Sequence, residues 1–183
     1  MADQKQMPVP LRRYLTTQLS ADEIPGFTIK KVLGDGNTAV TYEVHDTSGF
    51  PCALKLVYKE SYGDRAPFRE IGRFAEARDE RFLAFPKKVG DWSLKIRNRT
   101  YEFIWFKSRC VQGQSLNKFL SSNANFDATT EVLRYIENIT VALEELQFLG
   151  FSHGDLHDRN IMREVVGENS VLLNRFYHAG ISL

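Results

Sequence analysis

Cysteine is nearly missing from this 183-residue sequence: Cys52 and Cys110 are the whole complement, each inside an apolar run and without metal-ligand spacing. That scarcity excludes a disulfide-stapled secreted scaffold and fits two buried thiols in a reducing compartment. Long hydrophobic runs are missing as well. No segment approaches the roughly 20 apolar residues that a membrane helix needs, and the opening MADQKQMPVPLRRYLTTQL has no continuous apolar core of signal-peptide type. A cytoplasmic protein with no membrane partner is expected, and the sequons at Asn98 and Asn138 are read as accidental. An excess of one charge is also lacking. Lys and Arg number 24 against 23 Asp and Glu, a net charge of +1, which excludes a nucleic-acid-coating chain and predicts no nucleic-acid partner. The oligomeric state is left open. What remains, 43% hydrophobic and 26% charged residues, is the balance of a soluble globular chain, long enough for one compact domain or two small lobes sharing a cleft.

The hydrophobic period changes along the chain. LRRYLTTQL, within residues 8–26, reads as a short helix stopped by Pro25 and Gly26. From Phe27, FTIKKVLGDGNTAVTYEVHD alternates apolar and polar residues around a glycine turn, the pattern of a half-buried hairpin, and PCALKLVYK is a third strand. Residues 65–85 carry Phe68, Ile71, Phe74, Ala75, Phe82 and Leu83 at helical steps, an amphipathic helix ending before Pro86. DWSLKIRNRTYEFIWFKSR is a hairpin with its turn near Asn98. After the glycine turn VQGQS comes a short helix, LNKFL. A long one follows, from an N-cap at Asp127 to a C-terminal cap at Gly150, with Leu133, Ile136, Ile139, Ala142, Leu143, Leu146 and Leu149 as its core stripe.

Three stretches carry chemistry. In LGDGNTAV, Gly34 and Gly36 let backbone amides approach an anion closely, although tight hairpin turns use glycine for their own sake. Lys55 lies inside the apolar run CALKLV. A buried ammonium needs an anionic partner, for which Glu70, Glu76 and Glu80 are candidates and spacing back from Pro86 favours Glu76; an edge-strand lysine reaching solvent is the alternative. In FSHGDLHDRNIM, Asp155 and Asn160 are spaced to put two oxygen ligands near a hard cation while Asp155 accepts a hydroxyl proton. His153 and His157 lack the Cys or Glu that would complete a zinc set, and a polar loop capping the helix is the bland reading.

Taken in order, LGDGNTAV, the lysine of CALK, an acidic helix, a five-strand sheet, a helix and HGDLHDRN make residues 27–173 resemble the protein-kinase-like superfamily. The wording HGDLHxxN is similar to aminoglycoside and choline kinase relatives and to small bacterial kinases. The resemblance implies an α+β, two-lobe fold. Residues 1–26 would be an N-terminal extension. Residues 27–112 would form an N-lobe with a five-stranded antiparallel sheet and one helix, and 113–183 a partial or minimal helical C-lobe ending near the family's D-F-G position, as in a C-terminally truncated member. It implies ATP and Mg2+ as cofactors, with the γ-phosphate transferred to a hydroxyl of a protein substrate or partner, in the manner of a serine/threonine protein kinase. Gly34 and Gly36 would close over the phosphates, with Ala39 where the third glycine falls. Lys55 would pair with the phosphates and with Glu76, Asp155 would take the hydroxyl proton, and Asn160 would hold magnesium. His153 would anchor the loop, His157 would meet the transferring phosphate, and KSRCVQGQSL would be the hinge beside adenine. In a bacterial effector the same cytoplasmic setting would be that of a host.

The sequence departs from the family after Asn160. A D-F-G aspartate should follow a strand there, yet no Asp or Glu comes after Glu168, and spacing puts neutral Asn174 in its place as the second metal ligand. Three readings follow: a kinase with a reduced metal site, a pseudokinase or other nucleotide-binding regulatory module, and an inactive kinase fragment.

Overall fold

A computed structural model of the chain describes residues 5–62, 74, 76, 83–122, 128–151, 156–164 and 170–173. The chain forms two compact units, one of residues 1–72 and 86–110, the other of residues 73–85 and 111–183.

The first unit begins with helix α1 (Val9–Thr17), where Pro8 caps and a proline in the first turn presets the backbone. Leu11 and Leu15, one turn apart, bury the same face of this helix. Five strands follow: β1 (Phe27–Asp35), β2 (Ala39–Asp46), β3 (Pro51–Tyr58), β4 (Lys88–Ile96) and β5 (Arg99–Arg109). A single-turn helix, α2 (Lys59–Tyr62), follows β3. The sheet is antiparallel with order β1-β2-β3-β5-β4. The β4–β5 turn closes between Ile96 and Arg99 on Arg97 and Asn98, with Arg97 at φ 52°, as the sequence predicts for RNRT.

Alternation splits the sheet into two faces. Val40, Tyr42, Val44, Leu54, Leu56 and Phe103 pack with Met7, Leu11, Leu15 and Ile24, so the N-terminal segment roofs one face. Tyr42 fixes that roof by donating its hydroxyl to Leu15 O at 2.9 Å. The other face carries a smaller apolar cluster of Ala39, Val57, Ile104 and Phe106.

The second unit holds β6 (Gly113–Ser115), α3 (Leu116–Ser122), α4 (Ala128–Phe148), β7 (Ile161–Glu164) and β8 (Ser170–Leu173), with the strands in an antiparallel sheet of order β6-β7-β8. Its core gathers Phe74, Leu83, Phe85, Tyr135, Ala142, Leu146, Leu149 and Ile161. The predicted stripe of α4 is corrected here: Leu133 and Ile136 are 64% and 55% exposed, while Tyr135 is buried. At about 100° per residue, Tyr135, Ala142, Leu146 and Leu149 share one side, and Leu133 lies roughly opposite. Most of the predicted helix over 65–85, and the N-cap Asp127, lie outside the described residues. Among the described residues, no helix is long and apolar enough to cross a membrane.

Candidate nucleotide-binding site

The first unit supplies a turn and a lysine in one row of the sheet. Gly34 of β1 is opposite Thr41 of β2, Thr41 opposite Lys55 of β3, and Lys55 opposite Phe106 of β5. Strand spacing puts Gly34 and Lys55 about 10 Å apart. Lys55 thus stands on the face of Ala39, Val57, Ile104 and Phe106, away from α1, and it is half-buried. The β1 ladder is irregular between Ile29 and Lys31 and again between Val32 and Gly34, the kind of break that re-aims a strand at its end.

The turn after β1 is held on both sides. Gly36 N–H donates to Ala39 O at 2.9 Å, and Tyr58 N–H donates to Thr38 O at 2.9 Å. Gly36 does not adopt a left-handed φ, and a Cβ there would sit 3.7 Å from Ala39 O, an ordinary contact. The turn by itself would accept a side chain at Gly36, so the hairpin-only explanation of this glycine loses force.

At the end of β5, Cys110 Sγ lies 3.9 Å from Glu43 Oε2, and Lys31 Nζ lies 2.9 Å from the same oxygen. Burial, and after it the Glu43 carboxylate, push the Cys110 thiol up from its ordinary range. Burial likewise raises the Cys52 thiol. Neither residue is a ready thiolate nucleophile at neutral pH.

The second unit holds the polar loop. Helix α4 ends at Gly150, φ 72°, with Gly150 N–H donating to Gln147 O and Phe151 N–H to Leu146 O, both at 2.9 Å. This is a Schellman ending, and it turns the chain so that Phe151 stacks on Phe74 with centroids 4.7 Å apart. Beyond it, Asp158 is tied to α3: its O accepts from Asn117 N–H at 3.2 Å and its Oδ2 from Asn117 Nδ2 at 3.0 Å. Asn160 N–H closes a turn onto His157 O at 2.9 Å. Arg159 N–H reaches His157 Nδ1 at 3.1 Å, and His157 Nε2 lies 3.0 Å from Asn160 Nδ2, so ring and amide sit edge to edge. Asn160 is fully buried directly before β7.

Gly34, Gly36 and Lys55 are therefore neighbours in the first unit, and His157 and Asn160 touch in the second. Glu76 is exposed at a turn in the second unit. Asp155, His153, Asn174, Glu70 and Glu80 lie outside the described residues. Sequence reasoning passed over Thr41 and Asn117. The alternation of β2 could have put Thr41 beside Lys55, whereas nothing local ties Asn117 to a loop 41 residues away.

Solved structures supply the comparison, with 1807 matching chains. One of them, the crystal structure of Rad53 1–466 in complex with AMP-PNP, superposes at a TM-score of 0.64 with 21% identity over 83% of this chain. The fold is protein-kinase-like. The match covers 38% of that Rad53 chain, so this chain spans well under half of its length. No family model matches the sequence, and no curated protein matches it.

Proposed function

We propose that the protein is an ATP-dependent phosphotransferase acting on a hydroxyl, with a protein as substrate. The observation that carries this reading is the row Gly34–Thr41–Lys55, in which a glycine turn and a half-buried lysine share one face of a sheet whose fold is kinase-like. Lys55 is assigned to the phosphates, for which a point cation on a rigid strand is suited. Gly34 and Gly36 cover the same phosphates at the hairpin tip, where the lack of a side chain lets the backbone come close, and KSRCVQGQSL borders the adenine. Asn160 offers a neutral amide oxygen, a hard donor of the kind magnesium takes, and its burial holds that donor in place. It fits as one Mg2+ ligand, with Asn174 as the second; the ion would neutralise phosphate charge when bound. His157 is assigned to the transferring phosphate.

In the reaction the substrate hydroxyl oxygen forms a bond to the γ-phosphorus, and the bond from that phosphorus to the β,γ-bridging oxygen breaks. ADP leaves and the hydroxyl proton passes to the Asp155 carboxylate. Positioning and electrostatics are the means of catalysis.

Incubation with Mg2+ and labelled ATP is expected to give autophosphorylation or phosphorylation of a generic protein substrate. Asp155→Ala should reduce transfer by about 10²–10⁴-fold, and Lys55→Ala should abolish it. The neutral Asn174 favours one alternative, a nucleotide-binding regulatory module. Its signature is no transfer by the wild type together with a rise in Tm of about 5 °C or more at a hundredfold excess of MgATP over Kd. No transfer and no rise sinks both readings.

A further inference from the structure

The N-terminal segment does more than roof the sheet, because three of its contacts end on the tip of the β1–β2 turn. Met7 N–H donates to Asn37 O at 2.7 Å. Arg12 Nη1 donates to Asn37 Oδ1 at 2.9 Å, and Arg12 Nε lies 3.9 Å from Asp35 Oδ2. The holding end is rigid: Met7, Leu11 and Leu15 are buried in the core of the first unit. Lys5 adds a pair to Glu60 at 2.7 Å, and Glu60 Oε1 accepts from Tyr58 OH at 2.5 Å, where β3 leads into α2.

We propose that residues 5–12 are a clasp that preorganises the glycine turn for a polyphosphate, with Arg12 as its positioning residue. This rests on the reading of the turn as the phosphate cover. Asn37 sits at the tip between Gly36 and Thr38, and the clasp holds both its backbone carbonyl and its side chain. A loop so fixed loses less conformational freedom when it closes on a ligand. The second effect is electrostatic. Asp35 stands between the two glycines, where a carboxylate repels a phosphate anion. Arg12 draws that carboxylate toward α1 and offsets its charge, at the end of the sheet where Gly34 and Gly36 are assigned to an anion. The turn therefore depends on a residue 22 positions before Gly34 in the chain, contributed by the N-terminal helix.

The test uses the full-length chain, with hydrogen exchange and with binding of MgATP and of adenosine, which lacks phosphates. Arg12→Met is expected to speed exchange of the amides of residues 35–38 by about tenfold, leaving β3 and β5 protected. It is expected to weaken MgATP by about three- to tenfold without changing adenosine. In the Asp35→Asn background R12M should weaken MgATP less than it does in the wild type, because only the hold on Asn37 is then left to lose. Turn exchange that R12M leaves unchanged overturns the clasp, and equal weakening of MgATP and adenosine overturns its role toward phosphate. Should the wild type bind neither compound, the nucleotide reading fails on its own, and faster turn exchange in R12M still establishes the clasp.

Discussion

Lys107 on β5 reaches past β3 to the end of β2, where its Nζ lies 2.5 Å from Asp46 Oδ2. Asp46 also accepts the N–H groups of Ser48 and Phe50 at 2.9 and 3.2 Å, so one carboxylate closes the β2–β3 turn and staples two strands that are not neighbours. The hydrogen bond from Lys107 is the main reason its carboxyl is held below the usual range, with burial opposing it and the two turn amides helping. A carboxylate whose pKa is lowered on folding stabilises the protein above its unfolded value, and that stability is lost as pH falls through the folded value. Asp46→Asn is therefore expected to lower Tm at pH 7, with the gap to wild type closing as pH drops below about 4. A gap that stays constant from pH 7 to 3 would contradict the ionic account. At this scale the sequence marked Lys55, Asn160 and the two glycines by residue type and spacing alone. Asp46 and Lys107 could not be marked in the same way, because they meet only after β5 has been laid against β3.

At the scale of elements, the β6–β7 pair shows what a short strand contributes to the loop before it. A Cβ on Gly113 would lie 1.9 Å from Arg163 O, so no side chain fits while the two strands stay paired. Since β7 starts at Ile161, separating it from β6 also releases the register of Asn160. Gly113→Ala is expected to cost about 1–3 kcal/mol in urea denaturation and to speed amide exchange over residues 157–164. Unchanged exchange there would show that the loop is held from α3 alone, through Asn117 and Asp158. The sequence marks this glycine as a turn, VQGQS, yet it is a strand residue whose constraint comes from a carbonyl 50 positions away. The helices divide in the same way. Gly150 is legible as the end of α4 because its left-handed φ is a local demand, met by two local hydrogen bonds. Leu133 and Ile136 fit the stripe's spacing and are nevertheless exposed, because periodicity gives a stripe its spacing and leaves open how far along the helix a neighbour covers it.

For the whole molecule, the two units have separate cores, so damage should stay where it is made. Leu54 and Leu146 are each almost fully buried, one among β2, β3 and α1 and the other among α4 and β7. Truncating either to alanine is expected to cost about 2–5 kcal/mol. Hydrogen exchange should show Leu54→Ala lowering protection first in β2, β3 and β5, and Leu146→Ala first in α4 and β7; a uniform loss in both variants would mean that the units unfold as one. The sequence by itself determined the run of strands β1 to β5, the helices α3 and α4 and the residue types at the glycine turn, the lysine and the asparagine, because these follow from local periodicity and local chemistry; the kinase-like fold class came from its resemblance to that superfamily. Only the tertiary structure decided that Gly34, Thr41 and Lys55 share a row, that Asn117 holds Asp158, and that Arg12 and Met7 grip the turn. Those relations are set by strand register and by packing between segments far apart in the chain, and neither is written in any one stretch of it.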